Sequence, residues 1–282
     1  MTFGDVMSLK ARMRNESIKT GAPANVCMQN YMMERFLVRV AMSPYRENFI
    51  FKGGFLIAAM FGIGKRNTMD LDAAIKGIPI SSKKLHDVIS EIIKIRNSDW
   101  VVFEIRDIRV LRESGEHNDF RVSLLATFET LRVYIKIDIT TGGTIIPHEV
   151  EYPYRQIFGR EIIPIMAYPL NTILAEKVET ILRRGVANTS ARGFYDVYLI
   201  MSAKKEILSR SALLHAIRIK AEERGSIIAI ENHDKILRDI ADSPDILKIW
   251  DNYTKRYSYA KGITLASIME LLNWLFESEL IY

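Results

Sequence analysis

The sequence predicts an α/β (α+β) fold in which a mixed β-sheet with flanking helices is followed by a helical C-terminal domain. Residues 100–141 contain three runs of β-branched and aromatic residues with partial alternation, which is typical of strands. Apolar residues recur at helical spacing before these runs and again from Pro169 onward. We place the domain boundary at residue 165, which gives domains 1–165 and 166–282.

The composition is that of a globular protein of the cytoplasm. Hydrophobic residues make up 48% and charged residues 26%, a balance that argues against extensive disorder. The single cysteine, Cys27, excludes an internal disulfide framework and suits a reducing compartment. No apolar run approaches the ~20 residues that a membrane span requires, and the N-terminus lacks the apolar core of a secretory signal. The net charge of +5 suits an anionic partner such as RNA or a nucleoside triphosphate, but many proteins without one are equally basic.

The N-terminal half alternates between helices and strands. Amphipathic patterns predict helices at about residues 6–16 and 26–41, separated by the break "TGAPAN". "FIFKGG" predicts the end of a strand, and "FLIAAMFG" predicts a two-turn helix closed by Gly62. "MDLDAAI" follows as a strand, and "SSKKLHDVISEIIKIRN" as an amphipathic helix with Ser81 or Ser82 as its N-cap.

The later elements follow the same reasoning. Short connections predict that "WVVFEIRDIRVLRES", "DFRVSLLATFET" and "LRVYIKIDITT" are consecutive antiparallel strands. Helical patterns then cover "PLNTILAEKVETILRRG", "ARGFYDVYLIMSAKK", "RSALLHAIRIKAEERG" and "TLASIMELLNWLFESELIY".

Three aspartates are candidates for a metal site. On a strand, Asp70 and Asp72 point to the same face and stand ~6.6 Å apart along the backbone. Asp138 lies within "YIKIDIT" on another predicted strand. If the two strands are neighbours, three carboxylates share one face of the sheet, an arrangement that can hold two metal ions ~4 Å apart for attack on phosphorus.

A simpler interpretation is that Asp70 and Asp72 face solvent while Asp138 pairs with a lysine. Three features favour the metal site. Asp is uncommon in strands, the acids have apolar neighbours, and a glycine pair precedes them. Gly53 and Gly54 stand where a helix begins, so their N–H groups are candidates for binding a phosphate. Taken alone, a glycine pair at such a turn often reflects only backbone freedom.

Four separated segments resemble the AbiEii-type abortive-infection toxins, a type IV toxin–antitoxin family related to the MenT toxins. "FKGG" resembles the family's Lys-Gly-Gly turn, and "RNTMDLD" resembles its Arg-x-Ser-x-Asp-Ile-Asp metal motif. "LAEKVETILRR" is similar to its lysine helix, and "ARGFYDVYLI" to its Arg-x-x-Tyr-Asp-Leu helix. Their order and rough spacing agree over residues 50–200. The resemblance implies a polymerase-β-like nucleotidyltransferase fold with the active site between the two domains.

The resemblance also implies a reaction, in which a nucleoside monophosphate passes from a nucleoside triphosphate, with GTP among the candidates, to an RNA acceptor such as tRNA. It makes Asp70, Asp72 and Asp138 ligands of Mg²⁺ or Mn²⁺. It assigns nucleotide binding to Gly53, Gly54, Arg66, Thr68 and Lys177, and a functional acid to Asp196. The implied partner is a cognate antitoxin that need not form a tight complex.

The residues alone leave other interpretations open. Lys177 by itself is more simply a solvated helix lysine, and Asp196 stands four residues after Arg192, as in an ordinary helix ion pair. Phe55 follows the glycine pair where the family usually has Thr or Ser, so a hydroxyl contact to the triphosphate is missing. This departure supports the alternative of a catalytically weak nucleotide- or RNA-binding module.

Overall fold

The computed structural model describes residues 4–114, 117–159 and 161–277, and for residues 112–114 and 117 it describes the backbone alone. The described residues form two compact units. The first runs to Gly142 and includes Glu149–Tyr168; the second contains Gly143–His148 and continues from Pro169. The boundary expected at residue 165 lies inside a strand of the first unit, three residues before the observed division.

The first unit combines four helices with seven strands. In chain order they are α1 Val6–Thr20, α2 Ala24–Met42, β1 Phe49–Lys52, α3 Gly53–Phe61, β2 Asp70–Ile75, α4 Ser82–Ile93, β3 Val102–Ser114, β4 His117–Phe128, β5 Leu131–Thr141, β6 Val150–Arg155 and β7 Ile162–Ala167. The predicted helix and strand types are confirmed up to β5. At α4, Ser81 is the N-cap, because its side chain accepts a hydrogen bond from the Lys84 N–H.

The seven strands form one mixed sheet in the order β3-β4-β5-β2-β1-β7-β6. Strands β3, β4 and β5 are antiparallel neighbours, as their short connections predict. Parallel pairing joins β2 to β5 and β1 to β7. The sequence did not indicate β6 and β7. Each carries a proline, Pro153 paired with Pro164, and proline weakens a strand pattern because it cannot donate to the ladder.

One face of the sheet carries the core of the first unit. Leu71, Ile137 and Ile139 are fully buried on it, and α2 and α4 pack against β5 and β3 respectively. Each such side chain stabilises the fold by roughly 1.5–3 kcal/mol. Because side chains alternate along a strand, burial of these residues directs Asp70, Asp72 and Asp138 to the opposite face.

The second unit is helical in its described residues. Its helices are α5 Leu170–Arg184, α6 Ala191–Lys204, α7 Arg210–Glu223, α8 Ile227–Glu231, α9 His233–Asp242, α10 Pro244–Arg256 and α11 Leu265–Phe276. The four helical segments predicted here are confirmed, although the last five residues of the C-terminal one, 278–282, lie outside the described residues. No helix in the described part of the chain is both long and apolar enough to cross a membrane.

Candidate active site

The glycine pair lies at the junction of β1 and α3, where the chain turns sharply. Gly53 has a φ of +66°, a left-handed conformation that costs glycine little. A Cβ atom at this position would lie 2.1 Å from Oδ2 of Asp72. Glycine is therefore required here for two reasons: the backbone conformation and the close approach of a carboxylate.

Gly54 leaves room for two buried polar side chains. A Cβ atom there would lie 2.8 Å from Nη2 of Arg66 and 3.3 Å from Oγ1 of Thr68. Arg66 is 2% exposed and Thr68 is 4% exposed. Thr68 also donates to the backbone carbonyl of Asp70 at 3.1 Å. In this structure the two side chains support the turn and the start of the acidic strand, and their contact with a nucleotide stays a prediction.

Two buried amides of α2 hold the segment that leads into β2. Asn30 Nδ2 donates to the carbonyl of Thr68 at 2.8 Å. Gln29 Nε2 donates to the carbonyls of Met69, at 3.2 Å, and Tyr134, at 2.8 Å, and so ties the approach to β2 to strand β5. Neither residue was predicted from the sequence. The available signal was weak: two adjacent amides within an otherwise apolar helical pattern.

The acidic strand β2 lies beside β5, which is the condition for the three aspartates to share one face of the sheet. Their parallel register sets Asp72 opposite Asp138 and Asp70 opposite Lys136. Neighbouring strands are separated by about 4.8 Å, so Asp72 and Asp138 are the directly adjacent carboxylates. All three acids are half-buried on the face away from the core.

Asp138 has a basic partner on the next strand. Strand β4 sets Arg121 opposite it. Arg121 Nε donates to Oδ1, and Nη2 donates to Oδ2, both at 2.7 Å. The hydrogen bond and charge of Asp138 raise the pKa of Arg121 above its ordinary value, and the charges of Asp70 and Asp72 add to the effect. Arg121 thus experiences the field of all three acids.

A row of charged residues runs across five strands at this level of the sheet. In register order they are Lys52, Asp72, Asp138, Arg121 and Arg109. Two adjacent carboxylates are therefore flanked by cations on both sides. Such a row can bind a metal ion at its centre and phosphate oxygens at its edges.

The acids fit a metal ion only in part. Within the described residues, no group of three or more His, Cys, Asp or Glu side chains is arranged to hold a metal ion. The three carboxylates share one face of the sheet, but both oxygens of Asp138 accept hydrogen bonds from Arg121, so metal binding by all three stays a prediction. Asp70 and Asp72 still offer hard oxygen ligands on one face, the donor type that Mg²⁺ prefers alongside water and phosphate.

In the second unit, Lys177 of α5 and Asp196 of α6 form an ion pair. Lys177 Nζ lies 3.3 Å from Oδ2 of Asp196, whose side chain is fully buried, while the side chain of Lys177 is 27% exposed. A buried carboxylate can orient a partly exposed ammonium in this way. The functional roles expected for the two residues stay predictions.

Phe55 has a structural role in the core. It is 1% exposed, and its ring stacks on Tyr154 with centroids 5.6 Å apart and an interplanar angle of 13°. Burial raises the pKa of Tyr154 well above its usual range, which keeps this phenol neutral. The residue after the glycine pair therefore contributes to packing, and its lack of a hydroxyl says little about catalysis.

Comparison with known proteins agrees with this architecture. Residues 35–265 match the profile of the family described as nucleotidyl transferase AbiEii toxin, type IV TA system. The crystal structure of JHP933 from Helicobacter pylori superposes with a TM-score of 0.51 at 12% identity, covering 90% of this chain and 93% of that one. A provisionally assigned nucleotidyltransferase from H. pylori gives a TM-score of 0.48 at 14% identity, with 89% and 97% covered.

Comparison with curated proteins returned no match. At 12% identity the JHP933 structure bears on the fold alone. The profile match, in contrast, spans most of the 282 residues and includes the glycine turn, all three acids, and the Lys177–Asp196 pair. The chain belongs to the AbiEii nucleotidyl transferase toxin family of type IV toxin–antitoxin systems.

Proposed function

We propose that this protein is a metal-dependent nucleotidyltransferase that transfers a nucleoside monophosphate from a nucleoside triphosphate to a hydroxyl of RNA, with tRNA as the acceptor. In this reaction the acceptor oxygen attacks the α-phosphorus. The bond from that phosphorus to the oxygen bridging the β-phosphate breaks, and pyrophosphate leaves. The proton of the acceptor hydroxyl passes to a carboxylate.

The observation that carries this proposal is the position of the glycine turn against the acidic strand. The N-cap residue of α3, Lys52, makes no side-chain cap hydrogen bond, and the first turn of the helix contains no acid. A helix N-terminus of this kind suits a phosphate group. The carboxylate of Asp72 lies close to the same turn. A phosphate bound there would be near this carboxylate, and the repulsion between the two negative groups requires a cation.

A bound Mg²⁺ or Mn²⁺ would neutralise that charge and polarise the phosphate. Asp70 and Asp72 are its proposed ligands. Asp138 is the proposed third ligand and proton acceptor. Both of its oxygens are engaged by Arg121, so this role requires Arg121 to release at least one of them.

The remaining roles follow from the residue types. Gly53 and Gly54 expose backbone N–H groups to the triphosphate, supported from behind by Arg66 and Thr68. Lys177 counters phosphate charge, and Asp196 orients its ammonium. A lysine suits this task because its ammonium is a compact cation with three donors.

The biological role proposed here is that of a toxin that halts growth during phage infection and is opposed by a cognate antitoxin. Family membership supports the toxin role. The net charge of +5 and the pI of about 9.1 favour an RNA acceptor.

The test is incubation of the protein with total bacterial tRNA, Mg²⁺ and each of the four labelled nucleoside triphosphates in turn. Asp70→Ala is the inactive comparison. Asp87→Ala, at an exposed acid of α4, controls for loss of a negative charge. We expect label in RNA with wild type and Asp87→Ala but not with Asp70→Ala, and its loss on chelation of the metal. Label entering RNA equally with Asp70→Ala would refute the proposed site.

A second candidate function is nucleotide or RNA binding without catalysis. The ion pair between Arg121 and Asp138 favours this function, because it leaves only Asp70 and Asp72 of the three acids to bind a metal ion. Saturable nucleotide binding with no transfer of label from any of the four nucleotides would select it over the transferase.

A further inference from the structure

We infer that Trp100 and the pocket beside it form a binding site for an unpaired nucleotide of a single-stranded nucleic acid, separate from the acidic strand. The pocket has a volume of about 700 Å³ and lies where α4 leads into β3, within the first unit. Trp100 lines it and is 71% exposed. The proposal does not depend on the proposed transfer reaction.

The turn that carries Trp100 is rigid because both neighbours of the tryptophan are anchored. Asp99 is 3% exposed, and Arg39 donates to its two carboxylate oxygens at 2.9 and 2.8 Å. Arg39 Nη2 also donates to the carbonyl of Val101 at 2.6 Å. The N–H of Val101 returns a hydrogen bond to Asp99 at 3.0 Å.

This anchoring holds Trp100 in an unfavourable conformation. Its φ is +57°, in the left-handed region that disfavours residues with a Cβ atom. Its large ring contributes little to the core because most of it faces solvent. Folding stability alone would favour Gly or Asn at such a turn. Strain at an exposed aromatic residue therefore indicates a binding role.

The walls of the pocket offer an apolar surface with a basic rim. Ile93, Val101 and Phe103 contribute apolar surface. Lys94 and Arg96 line the rim with exposed side chains, and within the described residues neither has an acidic partner in an ion pair. The acid of the lining, Glu104, is paired with Arg106 at 3.0 Å. The rim is therefore available to an anion.

An exposed indole beside two cations is the combination that binds single-stranded nucleic acids. Bases stack on aromatic rings irrespective of sequence, and lysine and arginine follow the phosphates. Asn97, also in the lining, supplies an amide that can bond a base edge. In a duplex the faces of the bases are stacked on one another, so they are not available to stack on the Trp100 indole. The chemistry thus favours an unpaired base with its phosphate between Lys94 and Arg96.

The test is fluorescence anisotropy of the full-length protein with fluorescein-labelled dodecamers of oligouridylate and oligoadenylate, without nucleoside triphosphate. A duplex of the same length and an acidic peptide are the comparison probes. We expect the single strands to bind more tightly than the duplex. Trp100→Ala should weaken single-strand binding by about tenfold, the typical contribution of one stacked base, and Trp100→Phe should retain most of it.

Two further variants separate stacking from charge. Arg96→Glu should weaken binding and make it less dependent on salt, because one phosphate contact is lost. Leu111→Ala, which truncates an exposed apolar residue within β3, should bind as wild type. Unchanged binding by Trp100→Ala would overturn the proposal, as would preference for the duplex or the acidic peptide. A failed transfer assay with intact, Trp100-dependent binding would count against the proposed reaction alone.

Discussion

Arg121 and Asp138 form a two-point ion pair, Nε to Oδ1 and Nη2 to Oδ2, both at 2.7 Å. Asp138 stands directly opposite Asp72, so the pair closes one side of the candidate metal site. Both side chains remain partly exposed, at 37% for Arg121 and 25% for Asp138. Partial exposure screens the pair, but its two-point geometry strengthens it, so we expect it to contribute near the upper end of the about 0.2–1 kcal/mol of exposed pairs.

Replacement of Arg121 should strengthen metal binding. Arg121→Gln removes a cation and frees both oxygens of Asp138, so we expect Mn²⁺ to bind at least about fivefold more tightly. Calorimetric titration of the free protein with Mn²⁺ measures this without any reaction. Arg109→Gln, in the same row but paired with Asp107, is the matched control. Equal or weaker binding by Arg121→Gln would mean that Arg121 holds Asp138 in place for the metal ion.

Gly53→Ala should destabilise the protein and disturb the site. The added Cβ atom meets Asp72 Oδ2 at 2.1 Å and sits on a residue with positive φ, which together should lower the free energy of unfolding by about 1–3 kcal/mol. Urea unfolding measures the loss. Gly193→Ala is the control, because it lies in α6 with nothing within 4 Å of the added atom. It should be neutral or stabilise by up to about 1 kcal/mol. Equal effects of the two substitutions would contradict the steric argument.

The contributions of Lys177 and Asp196 to the free energy of unfolding should be coupled. Lys177→Met removes a cation from a carboxylate that is fully buried, and we expect a loss of about 1–3 kcal/mol. Asp196→Asn removes the charge itself, so the double variant should lose less than the sum of the two single variants. Urea unfolding of the four proteins gives the coupling energy. A coupling energy of zero would mean that the pair does not orient Lys177.

Glu179 should make the protein acid-sensitive. Burial acts to raise the pKa of this carboxyl group, but the charge and hydrogen bond of Arg224, the hydroxyl of Ser226 and the charge of Arg183 outweigh burial, so the pKa lies below its ordinary value. Between the two values the unfolded chain binds more protons, so the free energy of unfolding rises with pH. The contribution is complete above the ordinary value of about 4.3 and is lost as pH falls through the folded value.

Urea unfolding between pH 3 and 7 checks this dependence. Glu179→Gln should be less stable than wild type at pH 7 and should show a flatter slope below about pH 4.3. Glu222→Gln is the matched control, because its ion pair with Arg218 is exposed on α7. A slope as steep in Glu179→Gln as in wild type would assign the acid sensitivity to other groups.

The candidate site was predictable to different degrees. Asp70 and Asp72 were assigned to one face of a strand by alternation alone, and the structure places them there. The glycine turn was recognised, but the reason for each glycine was not: Gly53 accommodates Asp72, and Gly54 accommodates Arg66 and Thr68. Those contacts depend on how the loop after α3 returns to β2, which no local pattern specifies.

Helices α8, α9 and α10 and strands β6 and β7 were not predicted from the sequence. Strands β6 and β7 carry paired prolines and lie at one edge of the sheet, so their sequences resemble loops. The hydrogen bonds of Gln29 and Asn30 were not predicted, because the carbonyl groups that accept them belong to residues far along the chain. Local sequence propensities do not specify contacts between residues that are far apart in the chain.

The sequence by itself determined helices α1 to α7 and α11, the strands up to β5, and the faces on which Asp70, Asp72 and Asp138 lie, because periodicity is a local property of the chain. Only the tertiary structure decided that Asp72 is the neighbour of Asp138 and that Arg121 takes both oxygens of Asp138. The physical reason is register. Which residue stands opposite which is settled when strands from distant parts of the chain pair to bury Leu71, Ile137 and Ile139 together.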